Sequence, residues 1–349
     1  MLKQLAYELI AATPLPRLMQ RTLGRSGISV FTYHAIIDRE LAVGDWSFLH
    51  VDKFERQMAY LSQYFHVLPV EEAFALQESD QLPTDRPVAV VTFDDGFLNN
   101  YSVALPVLQR YQVPATIFLA TGLLRANIGQ EQPKPDPMLW FCRLHYAFMQ
   151  AVLAHTNSAE TTLKSELDWR GTTYLLHSVE QCQKASFAVQ QHLKALPGPE
   201  LELAVDEICN DLGVTDFDDP LFHMLDSHAL DKLLSSKLIT FGGHTSTHAI
   251  LARLDRQQQS EEVKESLAAV AALTGKPCHL FAYTNGGPED YNQDTLEVLD
   301  ESGVKWCWTM VPGENVKETS KLELHRYGIG ADDSFGRFVL QAHHLISQH

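Results

Sequence analysis

The feature that most constrains the fold is a regular alternation of short apolar runs with longer amphipathic segments. The apolar runs are rich in β-branched and aromatic residues, as expected for strands buried on both faces of a sheet. Strands separated by helices favour a parallel β/α architecture, and seven such strands favour a barrel, complete or deformed. The predicted strands are Ile28–Tyr33, Val88–Phe93, Ala115–Ala120, Leu238–Gly242, His279–Tyr283, Val304–Thr309 and Leu322–Tyr327. The helices predicted between them include Val51–Tyr64, Asn100–Tyr111, Asp255–Thr274 and Asn292–Gly303.

One long interval, residues 125–226, interrupts this alternation between the third and fourth strands. It contains helical patterns at Trp140–His155, Ser178–Leu196 and Glu200–Leu212, and "LDWRGTTYLL" predicts a small hairpin. We interpret residues 1–349 as a single β/α-barrel domain with residues 125–226 as a helical insertion. The insertion is either a lid over the substrate or a dimerisation element, and the second option would make the protein a homo-oligomer.

Composition and charge exclude several classes of function. The chain has a net charge of −17 and no run of Lys or Arg, which argues against a nucleic-acid partner. Five scattered cysteines without a CxxC pair favour reduced thiols and a cytoplasmic location. The N-terminal apolar stretch is short and is broken by Glu8, so we predict no signal peptide and no transmembrane segment. It is either a packed helix or an amphipathic helix that touches a membrane or a partner.

Polar and glycine-containing motifs follow six of the seven predicted strands. In a β/α barrel, the carboxyl ends of all strands lie on one face, where active sites form. We therefore expect these distant segments to converge on one barrel mouth. They are Tyr33–Ile36, Phe93–Gly96, Gly242–His248, Ala282–Gly287, Thr309–Gly313 and His325–Gly328.

Two adjacent aspartates, Asp94 and Asp95, end the second predicted strand in "VVTFDDGFLN". A carboxylate before a helix can cap its free amides, and this alternative role would account for one of the two residues but not for both. Because side chains alternate in direction at a strand end, one carboxylate can bind a metal while the other faces substrate. The same Phe-Asp-Asp triplet in "DFDDP" (Asp216–Pro220) has no strand before it, so we interpret it as a solvated turn.

His244 and His248 form the single HxxxH pair of the sequence and follow a strand and two glycines. In a helical turn, this spacing places both imidazoles on one side, about one metal ion apart. With one carboxylate they would leave positions open for water and substrate, as in a catalytic zinc site. We therefore expect a divalent metal, with Zn²⁺ favoured. The alternative is a pair of surface histidines at the start of a helix.

These motifs together resemble the polysaccharide deacetylase family, the NodB-like enzymes of carbohydrate esterase family 4. "TFDDG" (Thr92–Gly96) resembles the first motif of that family, "HTSTH" (His244–His248) the second and "FAYTNG" the third. "FTYHAI", "HVDKFERQMAYLSQYF" and "WTMVPGEN" are similar to segments of one branch. The similarity extends from about Gly27 to Phe338.

The resemblance implies a deformed (β/α)7 barrel of the NodB type and metal-dependent hydrolysis of an N-acetyl group on a saccharide or glycan precursor. It implies that the metal ligands are Asp95, His244 and His248. It also implies catalytic roles for Asp94 as the base, for the Tyr283 backbone amide as an oxyanion donor and for His325 as the general acid.

The third motif departs from the family pattern, because Ala282 stands where many members have an arginine and Thr284 where they have a proline. The arginine orients the catalytic base in those members, and Arg326 is one candidate to replace it. His34 could line the barrel mouth or merely cap its strand.

Two aromatic residues near the last strands also have two interpretations. Trp306 and Trp308 could form an apolar floor for the acetyl methyl group, although strand residues of this type are more often core.

Two other functions stay open at this point. A related C–N hydrolase could act on a small non-carbohydrate amide, since a fold does not fix its substrate. A degenerate, non-catalytic sugar-binding protein is consistent with the altered third motif. Metal content separates the two metal hydrolases from the binding protein.

Overall fold

A curled parallel sheet with flanking helices forms the centre of the computed structural model, which describes residues 2–22, 27–125, 138–156 and 164–346. The strands are β1 (Ile28–Tyr33), β2 (Ala35–Ile37), β3 (Phe48–His50), β4 (His66–Val67), β5 (Val88–Phe93), β6 (Ala115–Leu119), β7 (Glu166–Trp169), β8 (Thr172–Leu175), β9 (Ile239–Gly243), β10 (Leu280–Ala282), β11 (Trp306–Trp308) and β12 (Tyr327–Gly328). The helices are α1 (Leu2–Ala11), α2 (Leu15–Thr22), α3 (Val51–Tyr64), α4 (Val70–Glu78), α5 (Leu105–Tyr111), α6 (Trp140–Thr156), α7 (Val179–Leu193), α8 (Gly198–Asp211), α9 (Ser227–Leu234), α10 (Arg256–Thr274), α11 (Gln293–Glu301) and α12 (Phe335–Ala342).

Seven strands follow one another around the sheet in the order β12-β1-β5-β6-β9-β10-β11, and β4 pairs with β5 outside this path. Every pairing in this sheet is parallel, as the β/α alternation predicts. The two ends of the path approach each other at a single bridge between Trp308 and Leu324. The sheet is thus an incompletely closed barrel, and the predicted deformed (β/α)7 barrel is confirmed.

Alternation along β5 determines which of its residues face the barrel interior. Val88 and Val90 belong to an interior cluster that α4 also contributes to, whereas Ala89 and Val91 pack outward in another cluster. The Thr92 hydroxyl is 2.8 Å from the Thr32 hydroxyl of the neighbouring strand. Because side chains alternate with a period of two, the residue after Phe93 continues the interior face.

The predicted strands match the observed ones best where the apolar runs are long. The predicted bounds of β1 and β5 are those observed, whereas the last strand is reduced from Leu322–Tyr327 to Tyr327–Gly328. Leu324 exchanges backbone hydrogen bonds with Cys307 and Thr309 instead of continuing a regular ladder, which shortens this strand. The short strands β2, β3 and β4 were not predicted.

The predicted insertion contains α6, α7, α8 and the antiparallel hairpin β7–β8, and it lies between β6 and β9. Residues 126–137 and 157–163 of the predicted range lie outside the described part. The insertion shares one hydrophobic cluster with the segment that follows β1, and its Phe222 ring packs on Phe48 at a centroid distance of 5.1 Å. This common core fixes the insertion against the barrel.

The first helix packs against the last one. Gly336 approaches the α1 backbone closely, and its amide donates a 2.7 Å hydrogen bond to Glu8. The predicted packed N-terminal helix is therefore observed, although Leu5 and Leu9 on its other side are exposed. Among the described residues, no helix has both the length and the apolar character needed to cross a membrane.

Candidate active site

A pocket of about 120 Å³ opens at the carboxyl ends of the strands, and it gathers residues that the sequence separates widely. Asp94, Asp95, His244 and His248 all line it, as the convergence of strand ends predicts. All four side chains are buried, and none is more than 8% exposed. The structure thus brings together four of the six predicted site residues.

The backbone turns sharply after β5 so that the two aspartates separate. Asp95 has a positive φ of 74° and is followed by Gly96 at 91°, a conformation that favours glycine. A Cβ atom at Gly96 would also lie 2.9 Å from the Leu119 side chain. The Asp95 carbonyl accepts a hydrogen bond from the Ala120 amide, which ties the turn to the end of β6. Asp94 continues the interior face, while Asp95 faces the histidines.

The loop His244–His248, directly after β9, brings the two histidines together without forming a helical turn. Thr245 and His248 have φ values of 62° and 61°, in the left-handed region, and the segment is irregular. The prediction that helical spacing aligns His244 and His248 is therefore wrong in its geometry. Their rings nevertheless lie 5.3 Å apart, because two left-handed residues turn both side chains toward Asp95.

Three side chains in this loop and turn fit a metal ion. Ligand atoms of Asp95, His244 and His248 lie within 4.8 Å of one another. The Nε2 atoms of His244 and His248 are 3.4 and 3.2 Å from Asp95 Oδ1, yet neither buried Asp95 oxygen has a hydrogen-bond partner among the described residues. His244 Nδ1 donates to the Ala282 carbonyl at 2.8 Å, which directs Nε2 to the site. Unpaired buried carboxylate oxygens beside two imidazoles suit a divalent cation of the zinc type.

Glu262 on α10 holds the histidine loop in place. Its Oε2 accepts hydrogen bonds from the Ser246 and Thr247 amides at 2.8 and 2.9 Å, and its Oε1 accepts one from the Thr247 hydroxyl at 2.7 Å. A single carboxylate therefore binds two of the three residues between His244 and His248. It stabilises a backbone that contains two costly left-handed residues.

Replacing Glu262 with alanine is expected to weaken metal binding about 10- to 100-fold, a typical effect of removing a group that orients metal ligands. The loss follows because the two amides lose their acceptor and the loop relaxes. Zinc titration by calorimetry measures the change. Glu265→Ala, an exposed position on the same helix, is the matched control. An unchanged zinc affinity in Glu262→Ala would show that the loop keeps its shape without this carboxylate.

Asp94 forms a buried, two-pronged ion pair with Arg326. Arg326 Nη1 donates to Asp94 Oδ1 at 2.7 Å and Nη2 donates to Oδ2 at 2.9 Å, while Nε donates to the Thr309 carbonyl at 2.9 Å. Burial raises the pKa of the Asp94 carboxyl, but Arg326 together with His244 and His34 outweighs this effect and holds the pKa below its ordinary value. Arg326 thus orients the carboxylate and keeps it ionised, the role that Ala282 cannot fill.

The structure corrects the prediction that the Tyr283 amide is the oxyanion donor. This amide donates to the Trp308 carbonyl at 3.0 Å, because it extends the β10–β11 pairing, and it is already engaged. Asn285, two residues later, lines the pocket instead and has a φ of 60°. Its amide has no acceptor within the described part of the chain. The sequence signal for Asn285 is its position in the third motif, directly before the glycine.

The predicted general acid, His325, lies elsewhere. It lines a second pocket together with Tyr291 and Glu323, and its ring packs against Gly313. Side chains of consecutive residues in an extended segment face opposite sides. Because Arg326 faces the site, the side chain of His325 faces away from it. His34 lines the active-site pocket, and burial lowers its pKa.

Trp306 and Trp308 belong to the core rather than to the pocket. Both side chains are buried in the interior cluster, and the Trp308 ring lies 5.5 Å from the Phe74 ring of α4. The interpretation of these residues as core is confirmed. Trp46, which sequence reasoning missed, lines the pocket and packs edge-on against His34 at 4.8 Å.

Comparison with known proteins agrees with this site. The polysaccharide deacetylase family profile matches residues 81–307, which include both the aspartate pair and the histidine pair. A putative polysaccharide deacetylase of Bacillus subtilis (strain 168), YxkH, is 34% identical over 85 residues. This match covers 24% of the chain and 30% of the relative, so it spans less than a third of that protein's length.

Solved structures share the fold over nearly the whole chain. The deacetylase PplD of Streptococcus pyogenes, solved with acetate, superposes with a TM-score of 0.54 at 18% identity, covering 90% of this chain and 97% of that one. IcaB from Ammonifex degensii gives a TM-score of 0.56 at 17% identity, with coverages of 91% and 98%. At these identities the likeness shows a common fold. The profile match over more than half of its length establishes that this chain belongs to the polysaccharide deacetylase family.

Proposed function

We propose that this protein is a metal-dependent hydrolase that removes an N-acetyl group from a saccharide. One observation carries the proposal: the group Asp95, His244 and His248 shares a pocket with Asp94, whose carboxylate is oriented by Arg326. A metal site and a separately held carboxylate are the two parts that amide hydrolysis by activated water requires. Family membership supports an acetylated carbohydrate as the substrate.

The metal would be held by one carboxylate and two imidazoles. A divalent cation of the zinc type supplies Lewis acidity toward the acetamide carbonyl and lowers the pKa of bound water. Asp95 supplies the negative charge, and the hydrogen bond from His244 Nδ1 to Ala282 fixes the tautomer that presents Nε2. Three protein ligands leave room for water and substrate.

Asp94 accepts a proton from the attacking water. Both of its oxygens are hydrogen-bonded to Arg326, which aims the carboxylate into the pocket and favours its ionised form. After taking the proton, the same carboxyl passes it to the departing amine. His325 lines the other pocket and cannot take this role.

The Asn285 amide stabilises the negative charge that develops on the carbonyl oxygen. Its left-handed conformation is the kind of backbone strain that functional sites retain. Gly286 follows with a φ of 76°, and a Cβ there would lie 2.8 Å from the Met310 nitrogen. A tight third motif with Asn285 on the pocket wall supports this role, despite Thr284 in place of proline.

Acetate release by the purified, zinc-loaded protein tests this proposal. A panel of N-acetylated monosaccharides, oligosaccharides and nucleotide sugars is compared with small non-carbohydrate acetamides, with metal content measured in parallel. Acetate from sugars alone would support the proposed function, and acetate only from small amides would favour the other C–N hydrolase. A protein that binds no transition metal and gains no thermal stability with zinc would overturn both.

We further propose a cytoplasmic location, which the five unpaired cysteines support. The homo-oligomer through the insertion also stays a prediction. Phe187 on α7 and Leu203 on α8 are large apolar side chains that lie exposed on that insertion.

A further inference from the structure

The helical insertion forms one wall of the pocket that contains the proposed metal ligands. Trp140 and Phe141 contribute from the start of α6, and Gln190 and Lys194 contribute from the end of α7. The Phe141 ring lies 5.6 Å from the ring of His248. The insertion therefore reaches the reaction centre itself and not only the rim of the barrel.

Contacts with the barrel hold this wall against the rest of the fold. His145 on α6 is hydrogen-bonded through Nε2 to the Val43 carbonyl at 2.9 Å, and both side chains are buried. The Phe48 ring packs edge-on against Phe97 from the barrel and Phe222 from the insertion, at 5.5 and 5.1 Å. Moving the wall would open this shared core and expose apolar area at a cost of about 25 cal/mol per Å². Substrate must fit the space that the wall leaves.

That space is small. The enclosed part of the pocket, about 120 Å³, has room for on the order of ten water molecules. Three aromatic residues, Trp46, Trp140 and Phe141, line it from two sides. A long glycan has to cross a site with neighbouring units on both sides, and on the insertion side this pocket is lined by Trp140, Phe141, Gln190 and Lys194.

Lys194 gives the wall a positive charge without a fixed partner. Among the described residues, no carboxylate lies within ion-pair distance of its amine. Burial lowers the pKa of this amine, and the more distant Asp290 and Asp45 act in the opposite direction. Asp45 accepts hydrogen bonds from the Ser47 amide and hydroxyl at 2.9 and 2.6 Å, and Asp290 accepts one from the Gly287 amide at 2.9 Å. Both carboxylates are engaged elsewhere, so the Lys194 amine remains available to a ligand.

Building on the proposed deacetylase function, we propose that the insertion restricts the site to a single N-acetylated sugar that carries an anionic group, bound by Lys194. The acetamide of such a substrate lies at the Asp95–His244–His248 group. Its anionic group lies at the α7 end of the wall. The group is a phosphate or a carboxylate, because a lysine amine binds either as a point charge.

Calorimetric binding tests the inference apart from turnover. The probes are N-acetylglucosamine, its 1-phosphate, N-acetylmuramic acid and the pentamer of N-acetylglucosamine. We expect the phosphate or the carboxylate sugar to bind about 10- to 100-fold more tightly than the neutral sugar, the usual gain from a charge-assisted hydrogen bond. Lys194→Met should remove most of this preference, and Lys184→Met, an exposed lysine on the same helix, should keep it.

The pentamer tests the wall. We expect it to bind more weakly than the single sugars and to gain affinity in Phe141→Ala, which widens the pocket. Equal affinity of wild type for neutral and anionic sugars would overturn the inference, as would a pentamer that binds best. These outcomes differ from a failure of the proposed function, in which sugars bind as expected but no acetate appears from any of them.

Discussion

Replacing His244 with alanine is expected to remove metal binding and hydrolysis together. The substitution leaves one imidazole and one carboxylate, and it deprives the Ala282 carbonyl of its hydrogen-bond donor. Two ligands cannot hold a catalytic zinc ion that normally has three from the protein. Metal content after dialysis and acetate release should therefore both fall to background.

Thermal unfolding in zinc gives a second measurement of the same substitution. Wild-type protein should gain about 2.7 kcal/mol of stability when free zinc is a hundred times its dissociation constant. His244→Ala should gain almost none, whereas the exposed His228→Ala should behave as wild type. A His244→Ala protein that kept a full complement of zinc would remove this residue from the metal site.

The sequence predicts the position of this site better than its local geometry. Buried strands such as Val88–Phe93 have strong apolar patterns. A parallel barrel places the carboxyl ends of its strands on one face, whatever conformation the loops adopt. Alternation along the strand also predicts that Asp94 and Asp95 separate. These inferences need only periodicity and topology, and periodicity is a local property of the chain.

Loop conformation is what the sequence did not reveal. His244 and His248 meet through two left-handed residues and a carboxylate on α10, not through helical spacing. Such a conformation is stable only because Glu262, sixteen residues from Ser246, satisfies its amides. The pairing of Arg326 with Asp94 across 232 positions also depends on the whole barrel, and the sequence offered Arg326 only as one candidate for it.

The second Phe-Asp-Asp triplet shows that the surrounding sequence determines the role of such an aspartate pair. Asp219 caps a single helical turn, Pro220–Phe222, by accepting a hydrogen bond from the Leu221 amide at 3.0 Å, and it pairs with Arg39 near the surface. A capping role explains that triplet, as its polar surroundings predict. In the first triplet, both carboxylates are buried, and neither caps a helix in this way.

Replacing Asp94 with asparagine is expected to preserve metal binding while reducing kcat about 10²- to 10⁴-fold, the usual contribution of a general base. Asparagine has the shape of aspartate but cannot take a proton from water. Zinc stoichiometry by metal analysis and kcat from acetate release separate this result from that of His244→Ala, which loses both.

Stability must be measured in the same variant, because Asp94→Asn leaves the Arg326 guanidinium buried without its counter-charge. Breaking a buried ion pair by removing one partner costs about 3–5 kcal/mol of folding stability. The double variant Asp94→Asn/Arg326→Met removes the unpaired charge as well, so it should recover stability but not activity. If the double variant instead regained kcat, the loss in Asp94→Asn would have come from the stranded guanidinium. Full activity in Asp94→Asn would show that another group removes the proton.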